Sequence, residues 1–303
     1  MVDRKVPKNN KSLILGTAQW GLDYGISNTR GKVCPNEVKK ILDKAKISNI
    51  DILDTAPVYG DSEKVIGLSG LKDFKVITKV PKLNNFDKSS KNSKLLKSFF
   101  HKSILNLEVN SVHGLLFHDS DNLIKDNNCF LLDSIKELKE NGLVSKIGVS
   151  VYSSSQIDSV LDIFEPDIVQ LPFSILDQRL LHSGHLEKLK KHGVEIHARS
   201  IYLQGLLHIP LKNLPNYFNP IRPLLLKLHN KILADNLTVN EAALSFVRDI
   251  KEIDKIIVGI DSISQLNQTI NDIQTTSSFI ADDLSCSDQK FIDPTFWTND
   301  GKA

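Results

Sequence analysis

The chain has 303 residues, of which 38 are basic and 36 acidic, and its formal net charge is +2. Hydrophobic residues make up 41% and charged residues 24% of the sequence, which is typical of a soluble globular protein with a full core. This balance argues against a nucleic-acid partner, and no apolar run approaches the length of a membrane span.

Short apolar runs alternate with longer amphipathic stretches after a polar, lysine-rich segment at 1–11, which lacks the apolar core of a secretory signal. The short runs predict strands, and the stretches with a helical period predict helices. The predicted strands are 12–16, 50–53, 74–79, 112–117, 146–149, 167–170, 194–198 and 255–258. The predicted helices are 35–49, 62–68, 95–107, 130–140, 153–164, 186–191 and 262–273.

Alternating strands and helices in one chain of this length predict a parallel (β/α)8 TIM barrel, with 1–303 forming a single domain. The connections at 17–35 and 200–220 are longer than is normal for this fold. Long loops at the carboxyl edge of a barrel usually bind ligands. Residues 281–303 have no clear period, and we predict a tail that packs across one end of the barrel.

Three consecutive predicted strands end in polar side chains that can carry chemistry. The first ends in Asp54, and Pro57 then breaks the strand before Tyr59 on the following loop. The next strand ends in Lys79, and His118 follows the third. Because active sites in such barrels lie at the carboxyl ends of the strands, we expect these four side chains to meet.

This order of Asp, Tyr, Lys and His resembles the catalytic tetrad of the aldo-keto reductase superfamily. The most specific block is Asp54-Thr-Ala-Pro-Val-Tyr-Gly-Asp-Ser-Glu63. The resemblance begins at Gly16-Thr-Ala-Gln-Trp-Gly21 and continues through Ile147-Gly-Val-Ser150, Gln170 and Val258-Gly259, so it covers nearly the whole chain. It implies an NADPH-dependent oxidoreductase that reduces an aldehyde or ketone to an alcohol.

The resemblance assigns a role to each tetrad residue. Tyr59 is the expected general acid, and an ammonium at Lys79 should lower its pKa from the usual value near 10. Asp54 should hold Lys79 charged and in place. His118 should orient the substrate oxygen, and we expect Trp20 to line the substrate pocket with Tyr59 and His118.

The cofactor contacts implied by the resemblance depart from the family pattern at two positions. Val151 stands where the family has Asn, and Arg199 stands where an aromatic usually stacks on the nicotinamide, although a guanidinium can also stack on a ring. The positions that grip the 2′-phosphate in NADP-preferring members are uncharged here, so we expect NADP(H) to be favoured modestly and NAD(H) to be accepted. The predicted cofactor-binding residues are Gly16, Thr17, Ala18, Ser150, Gln170, Arg199, Ser200, Gln204, Gly205, Gly259, Ser262 and Gln265.

Two rival functions stay open at this point. Lys79 could form a Schiff base with a carbonyl substrate, although a neighbouring Asp54 would keep it protonated and a poor nucleophile. The barrel could instead be a non-enzymatic, nucleotide-binding regulatory subunit, which the departures at Val151 and Arg199 favour. The identity of the substrate and the oligomeric state also stay open.

No metal site is predicted, because His182 and His185 have no acidic partner at ligand spacing. The three cysteines are odd in number and widely spaced, so they outline neither a disulfide framework nor a zinc site. These features predict a cytoplasmic protein with reduced thiols.

Overall fold

Eight parallel strands close into a barrel in which each strand pairs with its chain neighbours and β8 returns to β1. The structure, a computed structural model, describes residues 12–83, 90–124 and 129–297, so the predicted segment at 1–11 and the end of the predicted tail lie outside the described residues. The strands are β1 Ser12–Gly16, β2 Ile52–Asp54, β3 Lys75–Val80, β4 Val112–Phe117, β5 Val144–Ser150, β6 Ile168–Pro172, β7 Glu195–Arg199 and β8 Lys255–Gly259. The predicted (β/α)8 barrel is confirmed.

Helices surround the strands and bury their apolar faces against them. The α-helices are α1 Ala18–Gly21, α2 Pro35–Ile47, α3 Ser62–Ser69, α4 Ser90–Leu107, α5 Asp121–Ile124, α6 Cys129–Glu140, α7 Ser154–Ile163, α8 Arg179–His182, α9 His185–Lys191, α10 Arg222–Ala234, α11 Val239–Arg248, α12 Ile263–Asp272 and α13 Gln289–Ile292. Short 3-10 helices lie at Leu203–His208, Leu211–Asn213, Asn216–Ile221 and Pro294–Phe296. No described helix is both long and apolar enough to cross a bilayer.

Helices α10 and α11 lie between β7 and β8, where the sequence analysis predicted no helix. The start of α11 carries a signal that the sequence shows. The Thr238 hydroxyl accepts a hydrogen bond from the Glu241 N–H, and the Glu241 carboxylate accepts one from the Thr238 N–H. This capping box, Ser or Thr followed three residues later by Glu, is a sequence signature of a helix start.

The interior of the barrel is filled by one layer of apolar side chains from alternate strand positions. These six buried residues are Ile14, Ile52, Ile77, Leu116, Ile168 and Ile257. Because side chains alternate between the two faces of a strand, the residue two positions further along each strand also points inward, one layer nearer the carboxyl edge. The layer of apolar side chains therefore forms the floor of whatever lies at that edge.

The described part of the predicted tail contacts the loops that follow β6 and β7. The Cys286 N–H donates to the Leu176 carbonyl at 2.8 Å, and the Gln178 side-chain amide donates to the Ala281 carbonyl at 2.8 Å. The Trp297 ring packs edge-on against Phe218 with ring centroids 5.0 Å apart. These contacts place residues 281–297 along the carboxyl side of the barrel.

Candidate active site

Each residue two positions beyond the apolar layer is either a polar candidate or a glycine. Asp54 follows Ile52 in this way, and Lys79 follows Ile77. The same spacing gives His118, Gln170, Gly16 and Gly259 on four further strands. The period of two in a strand, repeated around the barrel, thus brings residues that are far apart in sequence into one ring above the apolar floor.

At the base of this ring lies a buried ion pair. The Lys79 ammonium donates to Asp54 Oδ2 at 2.7 Å and to the Thr55 carbonyl at 2.9 Å. The Gln170 side-chain amide donates to the other carboxylate oxygen, Asp54 Oδ1, at 2.5 Å. Burial lowers the pKa of Lys79, and the adjacent Asp54 carboxylate opposes that shift. These three hydrogen bonds, two donated by Lys79 and one donated by Gln170, fix the positions of the Lys79 and Asp54 side chains.

Tyr59 and His118 lie above the ion pair. Their rings meet edge to face with centroids 5.8 Å apart, and Lys79 Nζ lies over the Tyr59 ring at 5.2 Å from its centroid. Burial and the Asp54 charge raise the pKa of Tyr59, while the charge of Arg199 opposes the rise. Burial, with the charges of Lys79 and Arg199, lowers the pKa of His118 to about 3. At neutral pH the site therefore presents a phenol that keeps its proton and an uncharged imidazole.

The loop that carries Tyr59 is anchored by the motif around it. The Ser62 hydroxyl donates to the Thr17 hydroxyl at 2.8 Å, and Thr17 donates to the Asp54 carbonyl at 3.0 Å. A Cβ on Gly21 would lie 1.8 Å from the Tyr59 carbonyl oxygen, so helix α1 can approach this loop only with glycine there. The small and hydroxyl residues of the motif therefore position Tyr59 rather than take part in chemistry.

A cavity of about 460 Å³ opens above the ring and contains the tetrad. Asp54, Tyr59, Lys79 and His118 all line it. Ten of the twelve predicted cofactor-binding residues line it as well, namely Gly16, Thr17, Ala18, Ser150, Arg199, Ser200, Gln204, Gly205, Gly259 and Gln265. The structure thus brings the acid–base residues and most of the predicted cofactor residues to one cavity.

Three predicted site residues do not line the cavity. Trp20 is fully buried and its indole N–H donates to the Ile260 carbonyl at 2.8 Å, so it belongs to the core and not to a substrate pocket. Gln170 is fully buried, and its side-chain amide donates to Asp54 Oδ1. The Ser262 hydroxyl caps α12 by accepting a hydrogen bond from the Gln265 N–H at 3.3 Å.

Several lining residues were not predicted, and three of them are tyrosines. Tyr24 comes from the long loop after β1, Tyr152 from the loop after β5 and Tyr202 from the loop after β7. Burial and the nearby Tyr59 raise the pKa of Tyr24 to about 12. Their position after a predicted strand was readable from the sequence, but the direction of each loop was not.

The residues present fit a nicotinamide nucleotide on two observations. A Cβ on Gly259 would lie 2.6 Å from Gln19 Oε1, so glycine at the end of β8 makes room for the Gln19 side chain, and both residues line the cavity. Gln170 Oε1 is buried and has no hydrogen-bond partner among the described residues, which suits an acceptor for a carboxamide N–H. In the part of the chain that the structure describes, no cluster of ligating side chains could hold a metal ion.

The amino terminus of α12, where the 2′-phosphate contact was expected, is occupied by groups of the chain itself. Glu37 Oε1 accepts the Ile263 N–H at 2.9 Å. The Gln265 amide oxygen accepts the Asp261 N–H at 2.7 Å, and Ser262 uses its hydroxyl as the cap. The donors that a phosphate would use are therefore engaged, and the carboxylate of Glu37 lies among them.

Comparison with known proteins identifies the class of protein that this fold and site represent. The family model of the Aldo/keto reductase family matches residues 12–283, and the chain belongs to that family. It is accordingly an oxidoreductase that uses a nicotinamide cofactor.

Among individual relatives, the chain is 25% identical over 286 residues to an L-galactose dehydrogenase of Arabidopsis thaliana, covering 86% of each chain. The holo form of an aldo-keto reductase from Bacillus halodurans superposes with a TM-score of 0.73 at 20% identity, covering 90% of this chain and 89% of that one. A glycerol dehydrogenase from Gluconobacter oxydans gives a TM-score of 0.67 at 19% identity, covering 93% and 92%. At these identities the two structures support the fold.

Proposed function

We propose that the protein reduces the carbonyl group of an aldehyde or ketone to an alcohol, with Tyr59 as the proton donor. The observation that carries this proposal is the common cavity of Tyr59 and His118 directly above the buried Asp54–Lys79 pair. Reduction requires a hydride at the carbonyl carbon and a proton at its oxygen. Among the described side chains, Tyr59 supplies the proton.

Tyr59 holds its proton until negative charge develops on the substrate oxygen. Its raised pKa makes it a weak acid toward water, so transfer becomes favourable only toward an alkoxide. The charge of Lys79, over the ring, stabilises the tyrosinate that remains after transfer. We expected this ammonium to lower the pKa of Tyr59, but burial and Asp54 outweigh any such effect in the structure, and Arg199 is the cation that opposes them.

His118 orients the carbonyl group. With its pKa lowered to about 3, the imidazole is neutral at physiological pH and can donate a hydrogen bond without giving up a proton. A donor fixed at the substrate oxygen stabilises the charge that develops there. His118 and Tyr59 together define where the carbonyl oxygen must lie.

The reduced nicotinamide cofactor supplies the hydride when it is bound. Gly16, Ser150, Gln204, Gly205 and Gly259 are the lining residues that would hold it. We propose that NADP(H) and NAD(H) are both accepted. The modest preference for NADP(H) expected from the sequence is reduced, because the donors at the start of α12 are already engaged.

The two rival functions are weaker on this geometry. A Schiff base needs a neutral Lys79 amine, whereas Lys79 donates two hydrogen bonds and one of them goes to a carboxylate. The regulatory-subunit reading is supported by Val151 and Arg199 but leaves the complete tetrad unexplained.

The test is a panel of small aldehydes, ketones and sugars, assayed for oxidation of NADPH and of NADH at 340 nm. Hydroxyaldehydes and sugars belong in the panel because a sequence relative is named L-galactose dehydrogenase and a structural neighbour is named glycerol dehydrogenase. We expect stoichiometric formation of alcohol and oxidised cofactor with at least one carbonyl compound. Tight cofactor binding without turnover of any of them would favour the regulatory subunit, and a borohydride-trapped adduct on Lys79 would favour the Schiff base.

A further inference from the structure

Arg199, the last residue of β7, is held rigidly in the wall of the cavity. Its guanidinium carbon lies 4.2 Å from the centroid of the Tyr152 ring. Nη2 donates to the Val151 carbonyl at 3.2 Å, and Nη1 donates to the Ser200 hydroxyl at 3.4 Å. A guanidinium packed against a ring and tied to the backbone at one end is pre-organised, so little entropy remains to be lost when it binds a ligand.

The charge of Arg199 has no counter-charge in the described chain. None of the ion pairs formed within 12–83, 90–124 and 129–297 includes Arg199, and its Nε is buried without a hydrogen-bond partner. Asp54 is the one carboxylate among the lining residues, and it is already paired with Lys79. The cavity therefore carries one uncompensated positive charge.

A half-buried guanidinium without an anionic partner is costly, because its desolvation is not offset by attraction to an anion. Such a group is explained if a ligand brings the missing charge. The Tyr152 ring already covers one face of the guanidinium, and its two hydrogen bonds are to neutral acceptors, so the strong charge-assisted bonds that arginine can form remain unmade.

Arg199 also lies close to the groups that would act on a carbonyl. It lines the same cavity as Tyr59 and His118, and its positive charge lowers the pKa of both. An anion bound at Arg199 would therefore share the cavity with a carbonyl group held by Tyr59 and His118.

We propose that Arg199 is the specificity-determining residue for an anionic carbonyl substrate, an aldehyde or ketone that carries a carboxylate or phosphate group, which pairs with the guanidinium. This inference rests on the proposed function and adds the substrate class to it. The planar fork of arginine matches both carboxylate and phosphate, so the cavity selects the charge, and the experiment distinguishes the two anions.

The experiment compares matched pairs of aldehydes that differ in charge. Succinic semialdehyde is paired with butanal, and glyceraldehyde 3-phosphate is paired with glyceraldehyde. For wild type we expect kcat/KM to be higher for the charged member of at least one pair by about ten- to hundredfold, the size of a hydrogen bond to a charged group. In Arg199→Gln this ratio should fall toward one, and in Arg199→Lys it should be intermediate. Arg222→Gln is the matched control, because Arg222 bonds to Asn219 and Leu211 outside the cavity lining.

A second measurement does not depend on turnover. Succinate, which cannot be reduced by this chemistry, is titrated calorimetrically into wild type and Arg199→Gln, with succinamide as the neutral analogue. We expect succinate to bind wild type at least tenfold more tightly than it binds the variant, and succinamide to show no such difference.

Several results would overturn the inference. One is a charged-to-neutral ratio near one in wild type, and another is a ratio that Arg199→Gln leaves unchanged. Equal losses for both members of a pair, together with weakened cofactor binding, would assign Arg199 to a cofactor phosphate instead. If no aldehyde is reduced at all, the proposed function fails, and the succinate titration still decides whether Arg199 binds an anion.

Discussion

The two halves of the cavity rim differ in how their charges are satisfied. In one half, at the ends of β2, β3 and β4, the buried Lys79 ammonium pairs with the Asp54 carboxylate at 2.7 Å, and we call this the paired half. In the other half, at the ends of β5 to β8, Arg199 has no anionic partner among the described residues, and Glu37 occupies the start of α12. We call this the unpaired half. In the proposed function the first half donates the proton to the substrate oxygen, and the second half binds the cofactor and the anionic group of the substrate.

The two halves also differ in the regularity of their backbone. Asp54 and Lys79 lie on strands, whose geometry is fixed by ladder bonds to both neighbours. The loop after β7 instead contains three non-glycine residues at positive φ, Ser200 at 61°, Leu203 at 49° and Gln204 at 53°. Such conformations are uncommon and cost energy that the surroundings must offset. The Asp54–Lys79 pair thus lies on regular strands, whereas part of the opposite rim is formed by a strained loop.

Tyr59→Phe should have the strongest effect on activity, because it removes only the phenol hydroxyl, the proposed proton donor. We expect carbonyl reduction to fall by about a hundred- to ten-thousandfold, as for loss of a general acid. Cofactor binding, which depends on the unpaired half, should change little. Single-turnover experiments measure hydride transfer and fluorescence titration measures cofactor binding, with Tyr217→Phe, at a partly buried tyrosine outside the cavity lining, as the matched control. Hydride transfer at the wild-type rate would remove Tyr59 from the role of acid.

Lys79→Met should damage both chemistry and stability. It leaves the buried Asp54 carboxylate with Gln170 as its remaining side-chain partner, and breaking a buried pair in this way costs about 3–5 kcal/mol of unfolding free energy. Loss of the cation over the Tyr59 ring should also raise the pKa of that acid further and slow turnover.

Urea unfolding and pH–rate profiles separate the two effects of Lys79→Met. The double variant Asp54→Asn/Lys79→Met removes the unpaired charge, so it should regain stability without regaining activity. A double variant that recovers both would mean that the ion pair serves the fold alone.

The sequence predicted the paired half well, because each of its residues is a distinctive type at a strand end. Asp54, Lys79 and His118 all follow a buried apolar residue by two positions, and that spacing is visible in the sequence. Trp20 was misplaced because its motif does not show which way an indole points. In the fold it points into the core and bonds to a carbonyl 240 residues away in the chain.

The unpaired half was harder to predict for a physical reason. The position of Tyr202 depends on the course of the long loop after β7, and the course of a loop is set by contacts that form only in the fold. Glu37 reaches Ile263 across 226 residues of sequence, so nothing local marks it. The departure at Arg199 was visible in the sequence, but its packing on the Tyr152 ring and its bond to the Val151 carbonyl form only in the fold.

A smaller effect is expected for His118 when the pH is lowered. Its pKa falls from 6.5 in the unfolded chain to about 3 in the fold. Below pH 6.5 the unfolded state takes up a proton that the folded state does not, so this contribution to stability is present above pH 6.5 and is lost as the pH falls toward 3. Between pH 7 and 5 the loss should be about 1–2 kcal/mol.

Urea unfolding of wild type and His118→Gln at the two pH values tests this expectation. The variant should lose less stability on acidification than wild type does, and the exposed His182→Gln serves as the control. The same acid dependence in wild type and His118→Gln would show that the imidazole is not held neutral by the fold.

The amino terminus of α12, in the unpaired half, should respond least to substitution. Glu37 accepts the Ile263 N–H, and this bond and the neighbouring Lys40 lower its pKa, so the carboxylate is charged at neutral pH. A negative group at a helix amino terminus takes the place that a phosphate would otherwise occupy and repels it. Glu37→Gln should therefore tighten NADPH binding by about 0.3–1 kcal/mol, the usual worth of one charge at a helix end. NADH, which lacks the 2′-phosphate, should bind as before, and Glu187→Gln on a distant exposed helix should affect neither cofactor.

Titration of both cofactors against wild type, Glu37→Gln and Glu187→Gln measures the difference. Equal changes for NADPH and NADH would mean that Glu37 acts on the packing of α2 against α12 and not on the phosphate, and the reduced preference proposed for NADP(H) would then lose its physical basis.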